Sequence, residues 1–160
     1  MDILTPRGVA SRQWEDRAVQ LWSSQWPDIS YVETPKDQPA IVDAVLVKNN
    51  KIIGVVETKC RPSLSLVDFK VTHNMKWLVT AEKVDKAQKV AEAMCVPFVG
   101  FLYLPDQDIL LYQSIWKPAH GWVVGIERKN TKTQATINGG KIWRHNAYID
   151  MTNAKMIMGS

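Results

Sequence analysis

Hydrophobic and polar positions alternate along this chain in two rhythms, and each change of rhythm marks an element. Between Ser11 and Trp26 the residues Trp14, Ala18, Leu21, Trp22 and Gln25 recur at three- and four-residue steps, the period of a helix buried on one side. Pro27 ends that helix, because it has no N–H to continue the ladder. A short β-prone stretch, Ile29 to Thr34, leads into a loop holding Pro35 and Pro39. Ala40 to Val47 reads as a strand, Lys48 to Lys51 as a polar turn and Ile52 to Lys59 as a second strand, so the pair forms a hairpin.

Arg61-Pro62-Ser63 breaks this pattern, and a mixed segment runs to about His73. Ala81 to Met94 is the second helix, with Val84, Ala87, Ala91 and Met94 on one face. Val96 to Leu104 is almost wholly apolar, as befits a strand buried on both faces and reached through a helical crossover. Pro105 to Asp108 turns the chain and Ile109 to Ile115 forms a further strand. The remainder is β-like, with Asn138-Gly139-Gly140 marking a hairpin turn. The order α-β-β-β-α-β predicts an α/β fold: a central mixed β-sheet flanked by helices, with a C-terminal β extension. One domain over 1–160 is expected, its core about 11–115 and the extension about 120–151; 160 residues suffice to bury a core of that size.

Charge adds a feature that the pattern does not show. The net charge is only +4, but Arg128, Lys129, Lys132, Lys141 and Arg144 fall between Ile126 and Asn146 with a single acid, Glu127. The rest of the chain is neutral, so the whole excess sits in the β extension, where it suits a polyanion such as DNA. A solvated, lysine-rich hairpin is the alternative meaning of the same stretch. No apolar run approaches the roughly 20 residues that span a bilayer. The N-terminus also lacks the long apolar stretch of a signal peptide, so a cytoplasmic protein without a membrane partner is expected. Cys60 and Cys95 make no disulfide scaffold, and the reducing cytosol keeps them as thiols.

The chemistry concentrates on the predicted hairpin. Asp43 interrupts an otherwise apolar strand, where a carboxylate is costly unless it is paired or bound to metal. The partner strand ends Val55-Val56-Glu57-Thr58-Lys59, and side chains two apart on a strand share a face, so Glu57 and Lys59 project together. The turn near 48–51 brings Asp43 to the same end. Two carboxylates and an ammonium then meet at one point, and a divalent cation between the acids removes their repulsion. Mg²⁺, a hard ion that prefers oxygen, suits such a pair.

Asp43, the spacer and Glu57-Thr58-Lys59, set in that element order, resemble the PD-(D/E)XK nucleases, the restriction-endonuclease-like superfamily. The likeness covers roughly residues 11–104; residue 42 is Val where the family's name pattern has Pro. The resemblance implies a Mg²⁺-dependent deoxyribonuclease, with Mn²⁺ as a substitute. Asp43 and Glu57 would be its metal ligands, Thr58 would lend its backbone carbonyl, and Lys59 would orient or activate water or clamp developing charge. It also implies DNA as partner, and a homodimer is compatible with it. Small members of this kind resemble junction resolvases, nicking enzymes and phage nucleases, so a structure-specific or nicking endonuclease is expected, acting in a host cytoplasm if phage-encoded. An exonuclease, a restriction-type enzyme and a non-catalytic nucleic-acid-binding protein on the same scaffold are the alternatives.

Many resolvase-like and exonuclease-like members add an acid from the first helix, and Glu15 matches that place as a further metal ligand. Its spacing equally allows a solvated carboxylate facing Arg12 or Arg17. A Lys or Gln on the helix after the Glu-x-Lys element is another family habit. Lys83, Lys86 and Gln88 are the auxiliary candidates, against the plainer reading of solvent-facing helix polarity. His73, His120 and His145 fit no metal spacing. Of the seven tryptophans, Trp14, Trp22 and Trp77 are expected in the core. Trp116, Trp122 and Trp143 lie near the basic stretch, where packing competes with stacking on bases.

Overall fold

The computed structural model describes residues 6–35, 41–134 and 141–159. Helix α1 (Pro6–Gln25) starts at a proline, whose missing N–H is no loss in a first turn, and buries Ala18, Leu21 and Trp22. Strands β1 (Ser30–Glu33), β2 (Ala44–Lys48) and β3 (Lys51–Cys60) follow as an antiparallel meander. Lys48 pairs with Lys51, and Asn49 and Asn50 between them take φ of 52° and 62°. Two left-handed residues in a row match the right-handed twist of the strands they join, and asparagine tolerates that conformation.

Beyond β3 come α2 (Leu66–Val71), β4 (Lys76–Thr80), α3 (Ala81–Met94), β5 (Phe98–Leu104) and β6 (Ile109–Lys117). Then follow β7 (Gly121–Trp122), β8 (Ile126–Gln134), β9 (Lys141–Asp150) and β10 (Lys155–Met158). The main sheet has the order β1-β2-β3-β5-β6-β10, with β7 hydrogen-bonded to β6. All its pairs are antiparallel except β3–β5, the pair that α3 bridges. A second sheet, β4-β9-β8, is antiparallel throughout. The architecture is therefore a central mixed sheet flanked by helices, as the sequence pattern predicts.

Both faces of the main sheet are buried. On one, α1 packs Ala18, Leu21 and Trp22 against Ala44, Leu46, Val56, Phe101 and Leu110. On the other, α3 and the second sheet bring Val84, Ala87, Trp77, Ala147 and Ile149 onto Val55, Phe98 and Leu102. Strand β5 feeds both, which explains why its sequence is apolar without alternation. Gly100 in its middle is required by packing: an added Cβ would stand 2.6 Å from both the Trp77 ring and Ile115 Cδ1.

The structure departs from the sequence expectations in four places. α2 occupies the segment read as mixed; Ser65 caps it by accepting from Asp68 N at 3.0 Å, and Phe69 anchors it. β4 inserts a strand before α3, outside the main sheet. Met94, expected on the buried face of α3, is 42% exposed because the helix ends at its C-terminal turn, beyond the contact made by Ala91. Asp43 does not lie within β2 but just before it. Pro39 and the Asn138-Gly139-Gly140 turn lie outside the described residues. No described helix is long and apolar enough to cross a membrane.

Candidate active site

The backbone explains the place of Asp43. Thr34 grips the chain ahead of β2: its N–H donates to the Asp43 carbonyl at 3.0 Å, and its hydroxyl donates to the carbonyls of Val42 and Asp43 at 2.8 and 2.9 Å. Asp43 N still donates to Val56 O at 3.1 Å, but the next N–H along β3, from Thr58, goes to the Asp43 carboxylate (Oδ2) at 2.8 Å. The side chain thus substitutes for a backbone acceptor at the end of the ladder and lies along the edge of the sheet. A residue's N–H and C=O share an edge of a strand, so the Thr58 carbonyl faces the same end of β2 as Asp43. The Thr58 hydroxyl points to the α1 side, 2.9 Å from the Tyr31 phenol oxygen.

Glu57 and Lys59 project from β3 toward α3. Glu57 is only 2% exposed, and its register partner on β5 is Gly100, the residue over which Trp77 packs. An apolar wall therefore stands beside a carboxyl group. Lys59 Nζ lies 3.4 Å from Glu57 Oε1, and Lys83 Nζ, from the first turn of α3, lies 3.6 Å from the same oxygen. Both are ion-pair distances, yet Oε1 receives no hydrogen bond and is sealed from water. Burial first, and the Asp43 charge second, push the Glu57 carboxyl up to about 7, while the two lysines pull it back. Burial lowers the Lys59 ammonium despite the attraction of Glu57, and the nearby Lys83 charge lowers it further. Lys83 is also opposed by burial, but the carboxylates and Lys59 outweigh that and raise it.

Of the three helix candidates, the structure brings only Lys83 to the carboxylates. Lys86 pairs with Glu82 at 2.8 Å and Gln88 donates to Glu92 at 2.7 Å, both on the outer face of α3. Arg17 pairs with Asp108 of the β5–β6 turn at 2.7 Å. The Glu15 charge is felt by Tyr31 and Cys60, which places it on the α1 side of the sheet near the end of β3. Among the described residues, no three His, Cys, Asp or Glu side chains gather closely enough to make a complete metal cage. The pair Asp43 and Glu57 nevertheless fits a hard cation. Each carboxylate keeps one oxygen without a hydrogen bond among the described residues, and oxygen donors suit Mg²⁺.

The basic stretch forms β8 and β9. Lys129 lies with its ammonium 4.7 Å from the centre of the Tyr148 ring, and Arg128 pairs with Asp85 of α3 at 2.8 Å. Lys132 and Arg144 are exposed, whereas the Lys141 side chain lies outside the described residues. Trp22 and Trp77 are buried, as is Trp116, while Trp122 and Trp143 are exposed. Sequence reasoning missed Gly100 and Tyr31 as neighbours of the site. A glycine inside an apolar run is the one signal that pointed to a close approach on β5.

Comparison with solved structures shows a likeness of fold. Among solved structures, the chain is similar to Hjc, a Holliday junction resolvase from the archaeal hyperthermophile Archaeoglobus fulgidus. That likeness has 15% sequence identity and a TM-score of 0.50, covering 88% of this chain and 93% of that one. It is a likeness of fold. No protein-family model matches the chain, and no curated protein sequence matches it.

Proposed function

We propose that this protein is a metal-dependent DNA nuclease of the PD-(D/E)XK kind, acting as a structure-specific or nicking endonuclease. The observation that carries this reading is Glu57: a carboxyl 2% exposed, with a buried oxygen that no hydrogen bond satisfies, beside a second carboxylate and two ammonium groups. Burial and the Asp43 charge cost this carboxylate more than the two ammonium groups return, since its carboxyl is raised to about 7, so the arrangement does not serve stability. A site that binds a cation and a phosphate does gain from it.

Asp43 and Glu57 would hold Mg²⁺, or Mn²⁺ in its place, with the Thr58 carbonyl at the same edge; Glu15 is the further ligand to test. The bound ion would supply Lewis acidity toward a phosphoryl oxygen and a more acidic water. The chain's own groups do the rest. Lys59, its ammonium weakened by burial, is suited to hold or take a proton from the attacking water. Lys83 keeps its charge and is suited to the charge that develops on the phosphate. The Trp77 wall over Gly100 limits water around Glu57 and so strengthens each of these interactions. Arg128, Lys129, Lys132, Lys141 and Arg144 would contact the DNA backbone, making 120–151 the binding extension of a catalytic core.

The test is cleavage of nicked, branched, linear and single-stranded DNA with Mg²⁺, Mn²⁺ or EDTA. Cleavage is expected only with metal, and Asp43→Ala or Glu57→Ala should lower it by about a hundred- to a thousandfold, the range seen when a principal electrostatic group is removed. Full activity of both variants, or binding without any cleavage in either metal, would overturn the assignment.

A further inference from the structure

We propose that the outer half of the β8–β9 ribbon is an arm that stacks an unpaired DNA base on the Trp143 indole. The proposal rests on the DNA reading above. Strand β4 pairs with β9 only from Asn146 to Asp150, so Lys141–His145 and the facing part of β8 run on as a two-stranded ribbon. Register partners share a face, which puts Ile126, Arg128, Asn130 and Lys132 together with Ile149, Ala147, His145 and Trp143. The near end of this face is core, with Ile149 and Ala147 fully buried. At its far end Trp143 is 69% exposed.

What singles out Trp143 is that, among the described residues, no cation lies over its ring. The other exposed indoles carry a cation of their own: Arg128 lies 5.5 Å from the Trp122 ring centre and Lys155 lies 5.8 Å from that of Trp26. Among the described residues no cation or ring covers Trp143. It nevertheless shares its face with Lys132, its register partner, while Arg144 projects from the other face of the same ribbon. Cations beside an open aromatic face are the combination that holds single-stranded nucleic acid, phosphates on the charges and a base on the ring. Bases in an intact duplex offer only their edges to the grooves, so the indole favours DNA with an unpaired base at a gap, flap or branch.

The arm is also in the right place. Thr80 pairs with Asn146 at the last rung of β4, and Ala81 begins α3 directly afterwards. Trp143 is three residues further along β9, roughly 10 Å beyond that rung at the rise of an extended strand. Lys83, in the same first turn of α3, reaches Glu57. The ring and the candidate active site therefore lie at one end of the molecule's second sheet.

Binding of a labelled duplex, and of the same duplex with a short single-stranded gap, measured by anisotropy in EDTA, tests this. The parent should prefer gapped DNA. Trp143→Ala should weaken gapped binding about tenfold, about 1.4 kcal/mol, and leave the duplex Kd and the Tm unchanged, while Trp143→Phe keeps most of the preference. Equal weakening of both DNAs, an undiminished preference in Trp143→Ala, or no preference in the parent would each overturn the proposal. Lys132→Ala with Arg144→Ala should weaken both DNAs and flatten the salt dependence by up to about two log–log units. If that double variant binds like the parent at every salt concentration, the DNA reading of the arm fails too. Weakening by the double variant with no effect of Trp143→Ala removes the stacking alone.

Discussion

Glu57→Gln replaces the buried carboxyl by an uncharged group of the same shape, and the two proteins should diverge with pH. The folded protein raises this group from its ordinary 4.5 to about 7. That difference corresponds to roughly 3 kcal/mol of disfavoured ionisation, already net of the attraction from Lys59 and Lys83. A carboxyl with a raised folded pKa contributes its full stability below the unfolded value and loses it as pH climbs through the folded one. Without metal, the parent should therefore lose up to about 3 kcal/mol relative to Glu57→Gln between pH 4.5 and pH somewhat above 7. Urea unfolding of both proteins in EDTA across that range measures the difference directly. Addition of Mn²⁺ at the upper end should restore the parent and leave the variant unmoved, since binding to the folded state alone is stabilising. Parallel stability curves for the two proteins from pH 4.5 upward would refute the claim that the burial cost of Glu57 exceeds its attraction to the two lysines.

The two helix lysines separate just as cleanly. Lys83→Ala should lower single-turnover cleavage at saturating DNA at least tenfold, because it removes an ammonium 3.6 Å from Glu57; Lys86→Ala, whose partner is the surface Glu82, should stay within about twofold. Away from the site, Asp108 joins α1 to the β5–β6 turn, taking hydrogen bonds from Arg17 at 2.7 and 3.0 Å and from the Tyr103 phenol. The Arg17 hydrogen bonds, chiefly, hold its carboxyl below the ordinary 3.8. Its contribution is thus present above pH 3.8 and lost as pH falls through the lower folded value. Asp108→Asn should cost about 1 kcal/mol at neutral pH, read as a fall in Tm that closes in strong acid; a gap that is constant with pH would show that the charge plays no part.

Much of this was written in local pattern. The period of Val84, Ala87 and Ala91 gave α3, the unbroken apolar run gave β5, and the two-residue spacing of Glu57 and Lys59 put both on one face. What was not legible depends on contacts distant in sequence. β4 is five residues whose partner is β9, some seventy positions later, so nothing nearby announces a strand. Asp43 was expected inside β2 because its neighbours are apolar; the Thr34 hydroxyl and the Thr58 N–H, which draw it to the strand end, belong to other elements. Which of Lys83, Lys86 and Gln88 turns inward is set by how α3 lies on the sheet, and periodicity alone does not give that. Apolar positions predict a helix's buried stripe well and say little about a long lysine that reaches around its rim.

The unexpected strand carries more of the functional arrangement than its length suggests. Thr80 ends β4 and Ala81 opens α3, with no loop between them. Through α3 the strand fixes where Lys83 stands against Glu57; through five backbone register pairs it fixes where β9 leaves the body and Trp143 projects. Trp77, paired with Ile149 of β9 and packed over Gly100, adds the apolar wall beside the Glu57 carboxyl. One five-residue segment thus determines the electrostatics of the carboxylate, the position of its helix lysine and the direction of the basic arm. A flexible tether between catalytic body and DNA-binding arm would leave each free to meet different stretches of a substrate. Under the proposed function a shared strand would make them read the same one, the geometry a nuclease needs if the structure it grips is to decide where it cuts.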